Sequence, residues 1–358
     1  MLLTPAPASP AGSVRVATYH VGLTRDGPGL LLRDILREQD SRIGAVINVI
    51  AAADPDILLL QKFDYDHDLV ALDAFADRLG RRGAVYPHRF ALLPNTGMAT
   101  GLDIDGDGRR GGPGDAQGFG NFAGQAGMAI LSRLPVMGKD VRDFSDILWR
   151  DLAGAGRQAL PVAPEVAGVL RLSSVAHWDV PVVLPGGGRL HLLTWHGSPP
   201  VFDGPEDRNG RRGAAEALFW ARYLEGGLPH PPPEGPVVVI GVANIDPLDG
   251  EGRHGAIRHL LDHPRLQDPA PRSAGGAVAA EAQGGVNAGH RGDPALDTAD
   301  WPDGTGAPGN LRVSYILPGR GLKVLASGVL WPDGGAFGET VIAASRHRLV
   351  WVDLALPE

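Results

Sequence analysis

The chain of 358 residues contains no cysteine, which removes disulfides, thiolate metal sites and cysteine nucleophiles from consideration. It also has no apolar segment approaching the length of a transmembrane helix. Its start, Met1-Leu-Leu-Thr-Pro-Ala-Pro-Ala-Ser-Pro, lacks the basic region and apolar run of a signal peptide. The expectation is a soluble chain, cytoplasmic or exported with its leader absent. No Gly-x-Ser-x-Gly elbow supports a Ser-His-Asp hydrolase, and no fixed-period repeat is visible. A net charge of −8 gives no global case for nucleic acid or an anionic membrane, although a local basic site fits within it.

What is present is ordinary for a globular protein with a large core: 43% hydrophobic and 21% charged residues. Gly 51 and Pro 31 point to many turns and long loops rather than helical bundles. Residues 1–13 are expected to be a disordered tail, and 14–358 one domain with insertions at 94–126 and 270–295. Strands are expected at Val14–His20, Arg89–Leu93, Ser173–Leu184, Arg189–His196, Leu311–Leu317, Leu322–Trp331 and Leu349–Leu356. Two further runs, from Ile57 and Val237–Gly241, are apolar throughout, as in strands buried on both faces. Helical spacing marks Leu30–Leu36, Ile43–Ala53, Leu69–Leu79, Arg208–Leu224 and Ala256–Leu261. The stretch 270–295, rich in Ala, Gly and Gln, reads as a mobile loop.

Chemistry in such folds gathers at the carboxyl ends of central strands. Those ends read Thr18-Tyr-His20, Leu60-Gln-Lys62, Leu193-Thr-Trp-His196, Gly241-Val-Ala-Asn244, Arg312-Val-Ser-Tyr315 and Ser345-Arg-His347. In this order, and with Gly127-Met-Ala-Ile-Leu-Ser-Arg133, the chain resembles the endonuclease/exonuclease/phosphatase (DNase I-like) superfamily from Val14 to Leu356. The resemblance implies an α/β fold, a four-layer α/β/β/α sandwich of two packed mixed sheets flanked by helices. It further implies phosphoester hydrolysis with a divalent metal, usually Mg²⁺, held by carboxylates.

The sequence departs from that pattern where the family places its chemistry. The family's first-strand Asn is His20, its metal-binding Glu is Lys62, and the Asp of Gly-Asp-x-Asn is Val242. The Asp of Arg-x-Asp-Tyr is Ser314, and that of Asp-His is Arg346. Asn244, His347 and His196 are the retained catalytic positions. Four carboxylates (−4) have thus become Lys, Val, Ser and Arg (+2). A lysine ~4 Å from a divalent cation is repelled by roughly 8 kcal/mol at an effective dielectric of ~20, between about five and six decades of affinity. Mg²⁺ is therefore not expected at the old site, and a pseudoenzyme is.

Two readings of the remnant remain: drift, with Lys62 and Arg346 merely solvated, or a pocket in which cations replace the metal and bind phosphate or another anion, helped by His20, His196, Asn244 and His347. One alternative is an active phosphodiesterase, nuclease or phosphatase recruiting nearby acids such as Asp64 or Asp246. Another is a structural or interaction module. Asp103-Ile-Asp-Gly-Asp-Gly108 opens like a calcium loop, making Asp103, Asp105, Asp107 and Asp115 candidate Ca²⁺ ligands, although the twelfth position is Gly114. Arg208, Arg211 and Arg212 read as a solvated helix start or as the rim of the site. His177 and Trp178 read as packing residues.

Overall fold

The structure, a computed structural model, describes residues 7, 9–10, 12–152, 160 and 162–356. Of the expected tail, residues 1–6, 8 and 11 lie outside the described residues. The first half runs β1 (Ser13–Leu23), α1 (Leu30–Arg37), α2 (Ser41–Ala53), β2 (Ile57–Phe63), α3 (Val70–Gly80), β3 (His88–Phe90), β4 (Gly127–Ser132) and β5 (Arg142–Asp143). Then come α4 (Pro164–Ala167), β6 (His177–Val183), β7 (Arg189–His196), α5 (Arg208–Leu224), β8 (Val237–Val242), α6 (His254–Leu261) and α7 (Ala274–Gln283). The last are β9 (Ala299–Asp300), β10 (Asn310–Leu311), β11 (Ser314–Pro318), β12 (Val324–Leu330), α8 (Gly335–Ala344) and β13 (Leu349–Ala355).

Two mixed sheets result, in the orders β12-β13-β1-β2-β4-β3 and β11-β8-β7-β6-β5, with β9 and β10 as a separate hairpin. The alternation of strand side chains separates three cores. Ile57 and Leu59 of β2 pack with Trp178, Val180, Val238 and Ile240 between the sheets. Leu58 and Leu60, one residue out of phase, pack with Ile43, Val46, Ile50 and Phe75 of the outer helices. Leu193, Trp195 and Val239 do the same against Ala217, Trp220, Tyr223 and Ile257. The layers are therefore helix, sheet, sheet, helix, as expected. No described helix is long and apolar enough to cross a membrane.

Several boundaries differ from expectation for local reasons. The strand expected from Ser173 begins only at His177, because Arg212 of α5 donates to the carbonyls of Leu172 and Ser173 and the Ser174 amide donates to Glu216. Arg212 is thus a buried interior staple and neither a solvated side chain nor a rim residue. His177 and Trp178 are buried packing residues, the His177 ring satisfied by the Ser173 hydroxyl and the Glu216 carbonyl. The strand expected at Leu311–Leu317 is broken, since the amides of Val313 and Ser314 donate to the Thr298 hydroxyl instead of to a ladder. The stretch 270–295 is not a mobile loop. It holds α7, capped by Ser273, and Gly275 lets it lie against the Trp331 carbonyl, where a Cβ would come within 2.4 Å of that oxygen.

Candidate functional site

Strand register carries the site residues to one edge of both sheets. In the first, parallel β1 and β2 set His20 beside Gln61. In the second, His196 lies beside Val242 on the parallel β8, and Val242 beside Ser314 on the antiparallel β11. The β2 ladder then breaks between Gln61 and Phe63, with Lys62 at φ 56°. Asn244 leaves β8 at φ 55°. Left-handed backbone costs a lysine about 1–2 kcal/mol, and Asn tolerates it better. Such positions cluster at functional sites.

A cavity of about 430 Å³ opens over these strand ends, lined by His20, Lys62, His196, Asn244, Arg346 and His347, and also by Arg42 and Trp301. Six of the eight sequence-predicted positions therefore meet. The other two, Val242 and Ser314, are buried and do not line it. No Asp or Glu lines it either, so its formal charge is +3 from Arg42, Lys62 and Arg346. The nearest acids are committed elsewhere. Glu216 accepts from the amides of Ser174 and Ser198, and Asp64 from the Thr24 hydroxyl and the amides of Arg25 and Ala126. Asp246 accepts from the amides of Leu248, Asp249 and Arg312. Neither Asp64 nor Asp246 reaches the cavity, which leaves the rearranged metal site without its carboxylates.

The histidines form one layer. The rings of His20 and His347 stack at 3.9 Å and 9°, His196 lies 5.6 Å from His20, and Trp301 meets His347 edge-on at 5.2 Å. Gln61 donates to the Thr18 hydroxyl at 3.1 Å, which turns its carbonyl oxygen toward His196 Nδ1 at 2.5 Å. The proton of His196 therefore sits on Nδ1, and Nε2 keeps its lone pair. The Ser345 hydroxyl donates to the His20 carbonyl and accepts from the His347 amide, tying the C-terminal segment to β1. Burial first, and then neighbouring positive groups, hold His20 and His196 well below the ordinary imidazole range and push His347 down to about 3. Burial likewise lowers Lys62, opposed by Glu216 and Asp64.

A hard divalent cation needs oxygen ligands. The cavity offers neutral imidazoles, an ammonium, guanidiniums and one side-chain amide, so its donor set does not fit Mg²⁺. The imidazole nitrogens do not converge on a shared point either. Among the described residues, the only group of three or more His, Asp or Glu ligand atoms lying within 4.8 Å of one another is Asp103, Asp105 and Asp115. Asp107, expected with them, accepts from the Arg109 amide outside that group.

Arg42 and Trp301 were not predicted from the sequence. Arg42 sits in the first turn of α2, where a cation opposes the helix dipole, and that misplacement was the available signal. It reaches over Gly22, where a Cβ would lie 2.5 Å from its guanidinium.

The depressed histidines make stability depend on pH. Unfolded imidazoles titrate near 6.5, above the folded His347 at about 3. Between those values the unfolded chain binds more protons, so its contribution is complete above the unfolded value and is lost as pH falls. Each such group accounts for up to about 1.4 kcal/mol per pH unit. Urea unfolding from pH ~7 to ~4 should show a shallower acid loss for His347→Gln than for the native chain. Comparing the two isolates this term from Asp297, held up to about 8 mainly by burial, whose linkage runs the opposite way. Equal slopes contradict the depressed histidine.

The sequence profile of the Endonuclease/Exonuclease/phosphatase family matches residues 34–347. No curated protein matches the chain. Among solved structures, the endonuclease/exonuclease/phosphatase from Beutenbergia cavernae DSM 12333 is 18% identical, the match covering 96% of this chain and 72% of that one at a TM-score of 0.55. The corresponding protein from Bacteroides vulgatus is 14% identical over 96% and 99% of the two chains, with a TM-score of 0.52. A family protein from Leptotrichia buccalis C-1013-b gives 13%, 95% and 99%, and 0.50. These likenesses are of fold, and the two-sheet sandwich described above is the fold they share. The profile spans most of the chain, and the chain belongs to the Endonuclease/Exonuclease/phosphatase family.

Proposed function

We propose that this family member is a pseudoenzyme that binds a phosphate-type anion where the family pattern places a metal. The observation that carries the reading is the cavity over the strand ends, lined by Arg42, Lys62 and Arg346 and by no carboxylate. The Lys62 ammonium and the two guanidiniums donate to the anion's oxygens, each charge-assisted bond worth about 1.5–3 kcal/mol. His196 Nε2, an acceptor by virtue of Gln61, accepts a hydrogen bond from the hydroxyl of a monoprotonated phosphate. Hydrolysis by the family's route lacks its carboxylates for metal and water alike.

Calorimetry with inorganic phosphate should give saturable binding that Lys62→Glu weakens by at least about tenfold, roughly 1.4 kcal/mol. In the presence of Mg²⁺, Mn²⁺ or Ca²⁺, bis-p-nitrophenyl phosphate and plasmid DNA should remain intact. An unchanged titration counts against the anion pocket, and metal-dependent turnover abolished by Asn244→Ala counts against the pseudoenzyme.

A second reading concerns the insertion at 94–126, and the convergence of Asp103, Asp105 and Asp115 supports it. A divalent cation there, with calcium the best match to the loop's opening, orders the insertion and takes no part in chemistry. Calcium should then raise the melting temperature of the native chain and leave Asp105→Ala unmoved. A native melting temperature indifferent to calcium overturns the reading.

A further inference from the structure

A second cavity, of about 640 Å³, abuts the cationic one and shares Pro199, Asn244 and Trp301 with it. Its walls are the loop that follows β7, the hairpin of β9 and β10 with the residues just past it, and the loop after β8. The first two contribute Val201, Phe202, Trp301, Pro308, Leu311 and Val313, which are apolar, and the last contributes Asp246, Asp249 and Glu251. The two cavities belong to one frame. The Asp300 amide donates to the Arg346 carbonyl at 2.9 Å, and Ala299 bridges His347. Trp301 follows directly, with its ring edge-on to His347. At the other end of the hairpin loop the Asn310 amide donates to Asn287 Oδ1 at 2.7 Å, which fixes the wall.

The opposite lip carries Phe202, 88% exposed and at φ 67°. A large aromatic turned out to water, on backbone that side chains other than Gly, Asn and Asp rarely adopt, has no packing role of its own. It stands at the mouth of an apolar groove beside a cluster of cations, where an aromatic face is open to a ligand. The groove is also lined by the buried Asp246, by Asp249 and by the exposed Glu251. With a chain charge of −8, these acids repel a second phosphate beyond the first.

We infer that the two cavities form one composite site for an organic phosphate monoester, its phosphate among Arg42, Lys62 and Arg346 and its uncharged, apolar body between Trp301 and Phe202. This rests on the anion reading above and adds the identity of what the anion is attached to. It selects against inorganic phosphate, which leaves the groove empty, and against a polynucleotide, whose later phosphates meet those acids. Flat apolar bodies are favoured, because both walls are aromatic.

The test is calorimetry of the full chain at about pH 7 with 1-naphthyl phosphate, inorganic phosphate, 1-naphthol and a short oligothymidylate. Naphthyl phosphate should bind at least about tenfold more tightly than inorganic phosphate, and naphthol alone should bind far more weakly. Trp301→Ala should bring naphthyl phosphate to within about threefold of inorganic phosphate, both measured on that variant. Phe202→Ala, at a side chain with almost no packing, should cause part of the same loss in a chain whose folding is not in question. Equal affinities for the two phosphates overturn the composite site and leave the anion reading standing. Failure of both phosphates to bind, or naphthyl phosphate affinity unchanged in Lys62→Glu, overturns the anion reading as well. An oligothymidylate that outcompetes naphthyl phosphate overturns the choice of a single-headed ligand.

Discussion

The apolar layer between the two sheets is the constraint on which everything else depends. Ile57, Leu59 and Val16 from one sheet and Trp178, Val238 and Ile240 from the other close it. Because it fixes one sheet against the other, the ends of β1 and β2 open onto the same cavity as the ends of β7 and β8. The register then decides which side chains meet. A one-residue slip of β2 would move Leu58 and Leu60 off the helices and onto the facing sheet, and Lys62 would leave the cavity with them.

Within that frame the cavity over the strand ends is cationic. The lining cations number three and the carboxylates none, while Glu216, Asp64 and Asp246 are held by backbone amides and stay out of reach. The interior compensates for its own buried charges locally. Arg212 and Glu216, one turn apart on α5, serve the carbonyls of Leu172 and Ser173 and the Ser174 amide before β6, and Glu216 also accepts from the Ser198 amide after β7. The imidazoles remain neutral because burial and the nearby cations both oppose a further positive charge. On the proposed reading such a cavity favours an anion for the same reason that it disfavours a divalent cation, and the apolar groove beside it gives that anion's organic part a place to go.

Much of this was legible in the sequence. The uninterrupted apolar runs at Ile57–Leu60 and from Val237 mark strands buried on both faces, and they became interior strands of the two sheets. Leu218, Phe219, Trp220 and Tyr223 mark α5. The strand-end residues carried the family pattern, and six of the eight positions they named do line one cavity. What escaped was set by contacts distant in sequence. Nothing local in Arg42 says that a glycine twenty residues earlier leaves space for its guanidinium, and nothing in Trp301 says that its hairpin is bonded to Arg346. The Ala- and Gly-rich stretch that became α7 has almost no amphipathic pattern, because its small residues serve close approach to the Trp331 carbonyl. The helix α8 was not expected either, although Phe337, Val341 and Ala344 recur at helical spacing and are buried.

The central claim is that an anion occupies the place over the strand ends that the family pattern gives to a metal. A crystal grown with both manganese and tungstate present, measured at the absorption edge of each element, tests it most directly. The account predicts a tungsten peak in the cavity within contact of Lys62 and Arg346, with no manganese peak there. A manganese peak beside Asn244 and His196, with tungstate elsewhere or absent, would contradict it.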